Sequence, residues 1–195
     1  MLILIFNKTA RGGTEMLRKI LFGLLRLWLG WQWLSAGWSK VTNEAWVGSN
    51  RGGAVKGMLM GAIEKSSGAY PEVHGWYASF AEHVALPNYK LFSLLVAYGE
   101  LLLGIALIIG AFTVFAALGS IFLNLNYLFA GTSSSNPEML IIGIILFIFF
   151  IPAGFYGVDY YITPKIREYY SKFIEYLKNK KLLPKNWSLF NLLDR

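Results

Sequence analysis

Residues 91–130 read LFSLLVAYGELLLGIALIIGAFTVFAALGSIFLNLNYLFA and contain a single charged residue, Glu100. A helix needs about 20 apolar residues to cross a hydrocarbon core about 30 Å thick. This stretch is long enough for two such helices, with a short turn at Ala111 and Phe112 between them. The sequence therefore predicts an integral membrane protein.

Two further apolar stretches flank this region, and the whole chain shares its composition. Hydrophobic residues make up 55% of the 195 residues and charged residues 15%, whereas soluble domains carry about 25% charged residues. We therefore predict an all-α fold built on a four-helix transmembrane bundle. The predicted segments are an N-terminal tail at 1–16, a membrane domain at 17–164 with spans at about 17–38, 90–110, 113–130 and 137–158, an outer loop at 41–89, and a basic tail at 165–195.

Basic residues cluster before the first span and after the fourth. Cytoplasmic segments carry an excess of Lys and Arg, so we expect a multi-pass protein of the cell membrane with both termini in the cytoplasm. The residues that give the net charge of +7 are therefore expected to contact anionic lipid rather than nucleic acid. The residues concerned are Lys8, Arg11, Arg18, Lys19, Lys165, Arg167, Lys172, Lys178, Lys180, Lys181 and Lys185.

Two segments outside the spans have helical apolar periodicity. In the outer loop, Pro71–Leu86 predicts an amphipathic helix and Ala54–Ile63 a second one, so that short extracytoplasmic helices cap the bundle; the alternative is a loop lying on the headgroups. In the tail, residues 165–181 have one aromatic face and one basic face. That pattern is typical of a helix on an anionic inner leaflet, and an ordinary solvated helix is the alternative.

Two opposite charges lie near the middle of predicted spans. Arg26 and Glu100 each cost about 3 kcal/mol to insert at the bilayer centre, and such residues face the protein interior. Each shares its helical face with glycines or other small residues, which let helices approach closely. We therefore predict an Arg26–Glu100 ion pair inside the bundle.

Other polar and aromatic side chains could join these two charges. Asn124 lies in the third span, Asp159 closes the fourth, and Trp33 could form the wall of a pocket for a flat ring. One interpretation is a buried network that fixes how the helices pair, at about 1 kcal/mol for each contact. The other is a quinone pocket, in which Arg26 or an Asn amide donates to a carbonyl and Glu100 accepts a proton.

The residue types present exclude several redox centres. There is no cysteine, so Cys-ligated metals and iron–sulfur clusters are excluded. The two histidines, His74 and His83, both lie in the outer loop, so no haem is held by histidines between spans. Nine residues separate them, which on one helix would place them on opposite sides. We therefore expect no metal site.

Four segments resemble the DoxX family of four-span membrane proteins, which includes the DoxD-like subunit of thiosulfate:quinone oxidoreductase. They are RLWLGWQWLSAGWSKV (26–41), GELLLGIALIIGAFT (99–113), NLNYLFAGTSSSNP (124–137) and AGFYGVDYYITP (153–164). The resemblance implies a membrane subunit that passes electrons to quinone and has an extracytoplasmic redox partner. The positions it points to are Arg26, Lys40, Glu100, Asn124 and Asp159. Together with the aromatic pattern, this gives Arg26 and Glu100 as candidate catalytic residues and Trp33, Lys40, Asn124 and Asp159 as candidate pocket residues.

Three functions remain open from the sequence. The first is the quinone-linked oxidoreductase subunit, with quinone as its bound ligand and thiosulfate or a related sulfur species as donor. The second is a non-catalytic scaffold that docks extracytoplasmic proteins through residues 41–89. The third is a small transporter, which would need a homo-oligomer for alternating access, and no pair of broken helices supports it.

Overall fold

The computed structural model describes residues 2–180 and Leu182, with the side chains at 2–12, 151, 152 and 167 outside this description. Within these residues every regular element is helical, so the prediction of an all-α fold is confirmed. A π-helical turn at Ala81–Ala85 extends α3. The α-helices are α1 (Leu2–Val41), α2 (Gly53–Glu64), α3 (Gly75–Phe80), α4 (Tyr89–Ile109), α5 (Thr113–Phe129), α6 (Asn136–Ile148), α7 (Phe150–Gly154) and α8 (Asp159–Asn179).

Helices α1 and α4 pack antiparallel along faces of small residues. A Cβ atom added to Gly37 would collide with the backbone of Leu101, and one added to Gly104 would collide with the backbone of Leu34. Glycine at both positions therefore allows the two backbones to touch. These contacts also set the register of the pair, since they place residue 38 of α1 level with Glu100 of α4.

Helices α5 and α6 form a second antiparallel pair beside the first. Gly143 of α6 lies against Ser120 of α5, and α6 ends at Ile148, after which Phe149 separates it from α7. The sequence predicts a kink in the fourth span at Pro152, because proline has no N–H group to bond the carbonyl four residues earlier, and the helix is interrupted shortly before it, at Phe149. Phe22 of α1 stacks on Phe149 with ring centroids 4.8 Å apart, which joins the two pairs at this end.

Residues 42–88, called the cap below, fold over the other end of the bundle. Helix α2 buries Val55, Leu59 and Ala62, as its predicted periodicity requires. The helix predicted from Pro71 begins later, at Gly75. Burial in the cap raises the pKa of the Tyr77 phenol.

The C-terminal helix begins earlier than the predicted boundary at residue 165. Helix α8 starts at Asp159 and continues through Pro164, while residues 183–195 of the predicted tail lie outside the described part of the chain. Tyr161, Tyr169 and Phe173 are 72%, 73% and 56% exposed. Exposed aromatic residues beside basic ones are typical of a helix at a membrane surface.

One helix among the described residues, Tyr89–Ile109, is both long and apolar enough to cross a bilayer. Thr113–Phe129 and Asn136–Ile148 are apolar but shorter. The predicted first span lies within α1, where Arg26, Gln32 and several tryptophans lower the hydropathy. The number of crossings therefore stays a prediction.

Candidate functional site

Glu100 is the centre of a buried ion pair near the cap end of the bundle. Its Oε2 atom lies 2.5 Å from Nζ of Lys40, and its Oε1 atom accepts a hydrogen bond of 2.5 Å from the Tyr127 hydroxyl. The Glu100 side chain is 1% exposed and that of Lys40 is 16% exposed. Lys40 therefore connects the fully buried carboxylate of Glu100 to the solvent-accessible surface of the protein.

A second group of polar side chains lies deeper, between α1 and α5. The Trp33 indole donates a 2.7 Å hydrogen bond to Ser120 Oγ, and the Asn124 amide lies 3.4 Å from the same oxygen. Within the described part of the chain, the buried Oδ1 atom of Asn124 has no hydrogen-bond partner. A buried acceptor without a partner costs free energy.

Lys40, Glu100, Tyr127 and Trp33 line a cavity of about 420 Å³ between the two helix pairs, called the chamber below. The predicted pocket residue Asn124 and the Trp33 partner Ser120 are buried but are not among its lining residues. One wall of the chamber is the turn between α5 and α6, in which Ser134 has a φ of +42°. A non-glycine residue in this left-handed region is strained, and such strain is frequent at binding sites. The lining residues are Gln32, Trp33, Ser35, Ala36, Lys40, Glu100, Tyr127, Thr132, Ser134, Ser135, Asn136 and Met139.

The predicted ion pair between Arg26 and Glu100 is wrong. Arg26 is buried, as expected, with 2% exposure, but its guanidinium packs against Gly110 and Gly157 at the end of the bundle opposite the cap. It donates a 3.1 Å hydrogen bond to the carbonyl of Tyr156. The register of α1 and α4 explains the error, because Glu100 lies level with residue 38 and Arg26 is twelve residues away, about 18 Å along the helix.

Asp159 also lies at the end opposite the cap, so it does not line the chamber. Its carboxylate accepts hydrogen bonds from the backbone N–H groups of Phe112, at 2.6 Å, and Thr113, at 2.8 Å. A carboxylate at a helix N-terminus satisfies free N–H groups and the helix dipole. The charge of Asp159 also acts on Arg26. These two predicted site residues therefore form a structural tie between α1, α5 and α8.

The chamber also contains residues that the sequence interpretation did not select. Tyr127 lies on the same helical face as Asn124, so the pattern that selected Asn124 contained Tyr127 as well. Asn136 precedes Pro137, a pattern typical of a turn, yet it is buried and lines the chamber. Only the fold of the α5–α6 pair places it there.

A comparison with protein-family models matches residues 22–184 to "TQO small subunit DoxD". The match covers most of the chain, including α4, α5, α6 and both ends of the bundle. The chain belongs to the DoxD family. Searches of the curated proteins and of the solved structures gave no significant match.

The DoxD assignment makes the chain a membrane-associated protein, and the chamber defines its available chemistry. Lys40 and Tyr127 supply hydrogen-bond donors, and Glu100 supplies a base. Among the described residues, no three His, Asp or Glu side chains form a group that could hold a metal ion. The arrangement in this DoxD chain is thus suited to binding and proton transfer.

Proposed function

We propose that this chain is the membrane-embedded, quinone-binding subunit of a quinone-linked oxidoreductase of the thiosulfate:quinone type. The family match supports the class of complex. The observation that carries the proposal is the chamber, in which a buried carboxylate lies within hydrogen-bond distance of two donors. Most small-molecule sites are apolar clefts with a few convergent polar groups.

A quinone head group matches these polar atoms. The Lys40 ammonium or the Tyr127 hydroxyl would donate a hydrogen bond to a quinone carbonyl, and Glu100 would accept a proton from a quinol hydroxyl. The aromatic ring of Trp33, 1% exposed, would pack against the flat head group. This proposal replaces Arg26, which lies at the other end of the bundle, with Lys40 and Tyr127.

The electrons would come from a partner subunit. Thiosulfate or a related sulfur species would be oxidised there, and two electrons and two protons would convert the quinone to the quinol. The family description names a small subunit, which supports a complex with a further chain. An extracytoplasmic partner would face the cap.

The membrane arrangement is part of the proposal. Four crossings, by α1, α4, α5 and α6 with α7, would place the cap outside and both termini in the cytoplasm. The exposed apolar side chains of α4 and α5, such as Leu102 at 64% and Phe115 at 67%, support contact with lipid. The basic residues near both ends of the chain support the orientation.

The test is quinone retention and turnover in the complex purified from membranes. We expect extractable quinone and quinone-dependent oxidation of thiosulfate in the native protein, and loss of turnover in Glu100→Gln. Glu138→Gln is the matched control, because Glu138 is an exposed glutamate in the first turn of α6. Native complex without quinone or turnover, or equal activity of the two variants, would contradict the proposal.

A second candidate function is a non-catalytic scaffold that docks extracytoplasmic proteins through the cap. The observation in its favour is the exposure of large side chains there, with Tyr70 at 95% and Trp76 at 59%. Such residues are enriched at protein interfaces. If this function is correct, Tyr70→Ala should weaken co-purification of the partner, and Glu100→Gln should leave turnover of the complex unchanged.

A further inference from the structure

We propose that Glu100 exchanges its proton with water on the cap side of the bundle only, through Lys40, and that a layer of leucines closes the other side. The inference deepens the proposed function, because it names the side from which the protons of quinone chemistry come. The link between this proton exchange and quinone chemistry rests on the proposed function, whereas the test of the exchange needs no quinone.

Lys40 is the charged group that connects Glu100 to the cap side. The ammonium contacts the carboxylate at 2.5 Å, and the Lys40 side chain keeps 16% exposure with its ammonium 5.1 Å from the ring of Trp46 in the cap. In the last turn of α1 it lies at the cap end of the chamber. A proton bound at Glu100 therefore has one charged neighbour on the path to water.

The other groups facing Glu100 can accept or donate hydrogen bonds but carry no charge. Helix α5 contributes the Tyr127 hydroxyl, and α6 begins with the amide of Asn136. The turn between α5 and α6 contributes hydroxyl groups alone. Among the described residues, the titratable groups facing Glu100 are thus Lys40 and Tyr127.

On the side away from the cap, the polar face of α5 is interrupted. Thr113, Ser120 and Asn124 are all buried on this face, but nothing polar lies between Thr113 and Ser120 on it. That gap is filled by fully buried apolar side chains of one core cluster. They are Leu29 of α1, Leu107 of α4, Ala117 of α5 and Leu146 of α6, each 0% exposed.

Beyond this layer lies the separate polar group of Arg26 and Asp159. Within the described part of the chain, Arg26 Nε and Nη1 and Thr113 Oγ1 are buried without hydrogen-bond partners. They would bind water from that end of the bundle. Because close-packed apolar side chains exclude water, these atoms do not connect to the chamber.

The proton step itself is a simple exchange without any redox change. The Lys40 ammonium gives a proton to the Glu100 carboxylate, which leaves a neutral amine and a carboxylic acid. The amine then takes a proton from water at the cap side, which restores the ammonium. The reverse sequence releases a proton to the same side.

The experiment follows the Glu100 carboxylic acid by infrared spectroscopy in vesicles whose two aqueous phases are buffered separately. The full chain has no native cysteine, so Ser67→Cys in the exposed part of the cap is reconstituted and its orientation is measured with a membrane-impermeant thiol reagent. The carboxylic C=O band that is lost in Glu100→Gln identifies the group. We expect this band to respond to the pH on the cap side and to be insensitive to the pH on the other side.

Variants separate the two parts of the inference. Lys40→Met should slow the response by about a hundredfold, the usual contribution of a positioned acid or base, while Lys56→Met should leave it unchanged. Leu107→Asn should make the band sensitive to both sides. A band that follows the pH on the side away from the cap, or that never titrates while the protein stays folded, would overturn the inference.

The sidedness measurement on the Ser67→Cys chain stands even if Lys40→Met does not fold. A negative result for the sidedness of Glu100 is also distinct from a negative result for the proposed quinone function. A chain that binds no quinone but titrates from the cap side would overturn the quinone assignment alone. A chain that binds quinone but titrates from the other side would overturn this inference alone.

Discussion

Lys40→Met should destabilise the protein much more than Glu100→Gln, although the two residues form one ion pair. The Glu100 side chain is 1% exposed, whereas that of Lys40 is 16% exposed. Removing Lys40 therefore leaves a carboxylate buried without its counter-charge, which costs about 3–5 kcal/mol. Removing the charge of Glu100 leaves an ammonium that can turn to water, so we expect a loss of about 1–2 kcal/mol.

The double variant K40M/E100Q is the decisive member of this series. It removes both charges together, and replacing a whole buried ion pair is often nearly neutral. We therefore expect it to recover most of the stability that Lys40→Met alone loses. The strong non-additivity follows from the contact of the two side chains.

The assay is unfolding of the purified protein in mixed micelles, followed by the shift in the midpoint of a denaturing-detergent titration. Lys56→Met is the control, because Lys56 is an exposed cap lysine and should change stability by less than about 0.5 kcal/mol. The reasoning is refuted if the losses of the two single variants add in the double variant. It is also refuted if Lys40→Met costs no more than the control.

Three further substitutions, and Gly99→Ala as a control for the first of them, test the rest of the structure by thermal unfolding. Gly110→Ala should lower the melting temperature strongly, because φ is +66° there and an added Cβ atom would collide with the Arg26 guanidinium and the backbone of Gly157. Gly99→Ala should be tolerated, because nothing lies within 4 Å of an added Cβ atom. Equal behaviour of the two variants would contradict the structure. Asp159→Asn should lower the free energy of unfolding by about 1 kcal/mol, because two backbone N–H groups at the start of α5 lose a charged acceptor. Unchanged stability would show that the Asp159 carboxylate does not stabilise these N–H groups. Trp33→Phe should lower the free energy of unfolding by about 1 kcal/mol, because the hydrogen bond from the indole to Ser120 is lost. An unchanged melting temperature would exclude that bond.

The helices themselves could be predicted from the sequence, because hydropathy and helical periodicity are local properties of the chain. The predicted segments 90–110 and 113–130 coincide with α4 and α5 within a residue. Helical phase also indicated which side chains point inward, and Arg26, Glu100 and Asn124 are all buried. Pro152, in the interior of the fourth segment, likewise predicts a kink there.

The partners of those buried side chains were decided by the tertiary structure. Helical phase tells which face of a helix points inward, but it contains no information about how far one helix is shifted along another. That shift depends on which glycines meet which backbones, and here Gly37 meets Leu101. Because of it Glu100 binds Lys40 and Tyr127 near the cap, and Arg26 remains with Asp159 at the opposite end.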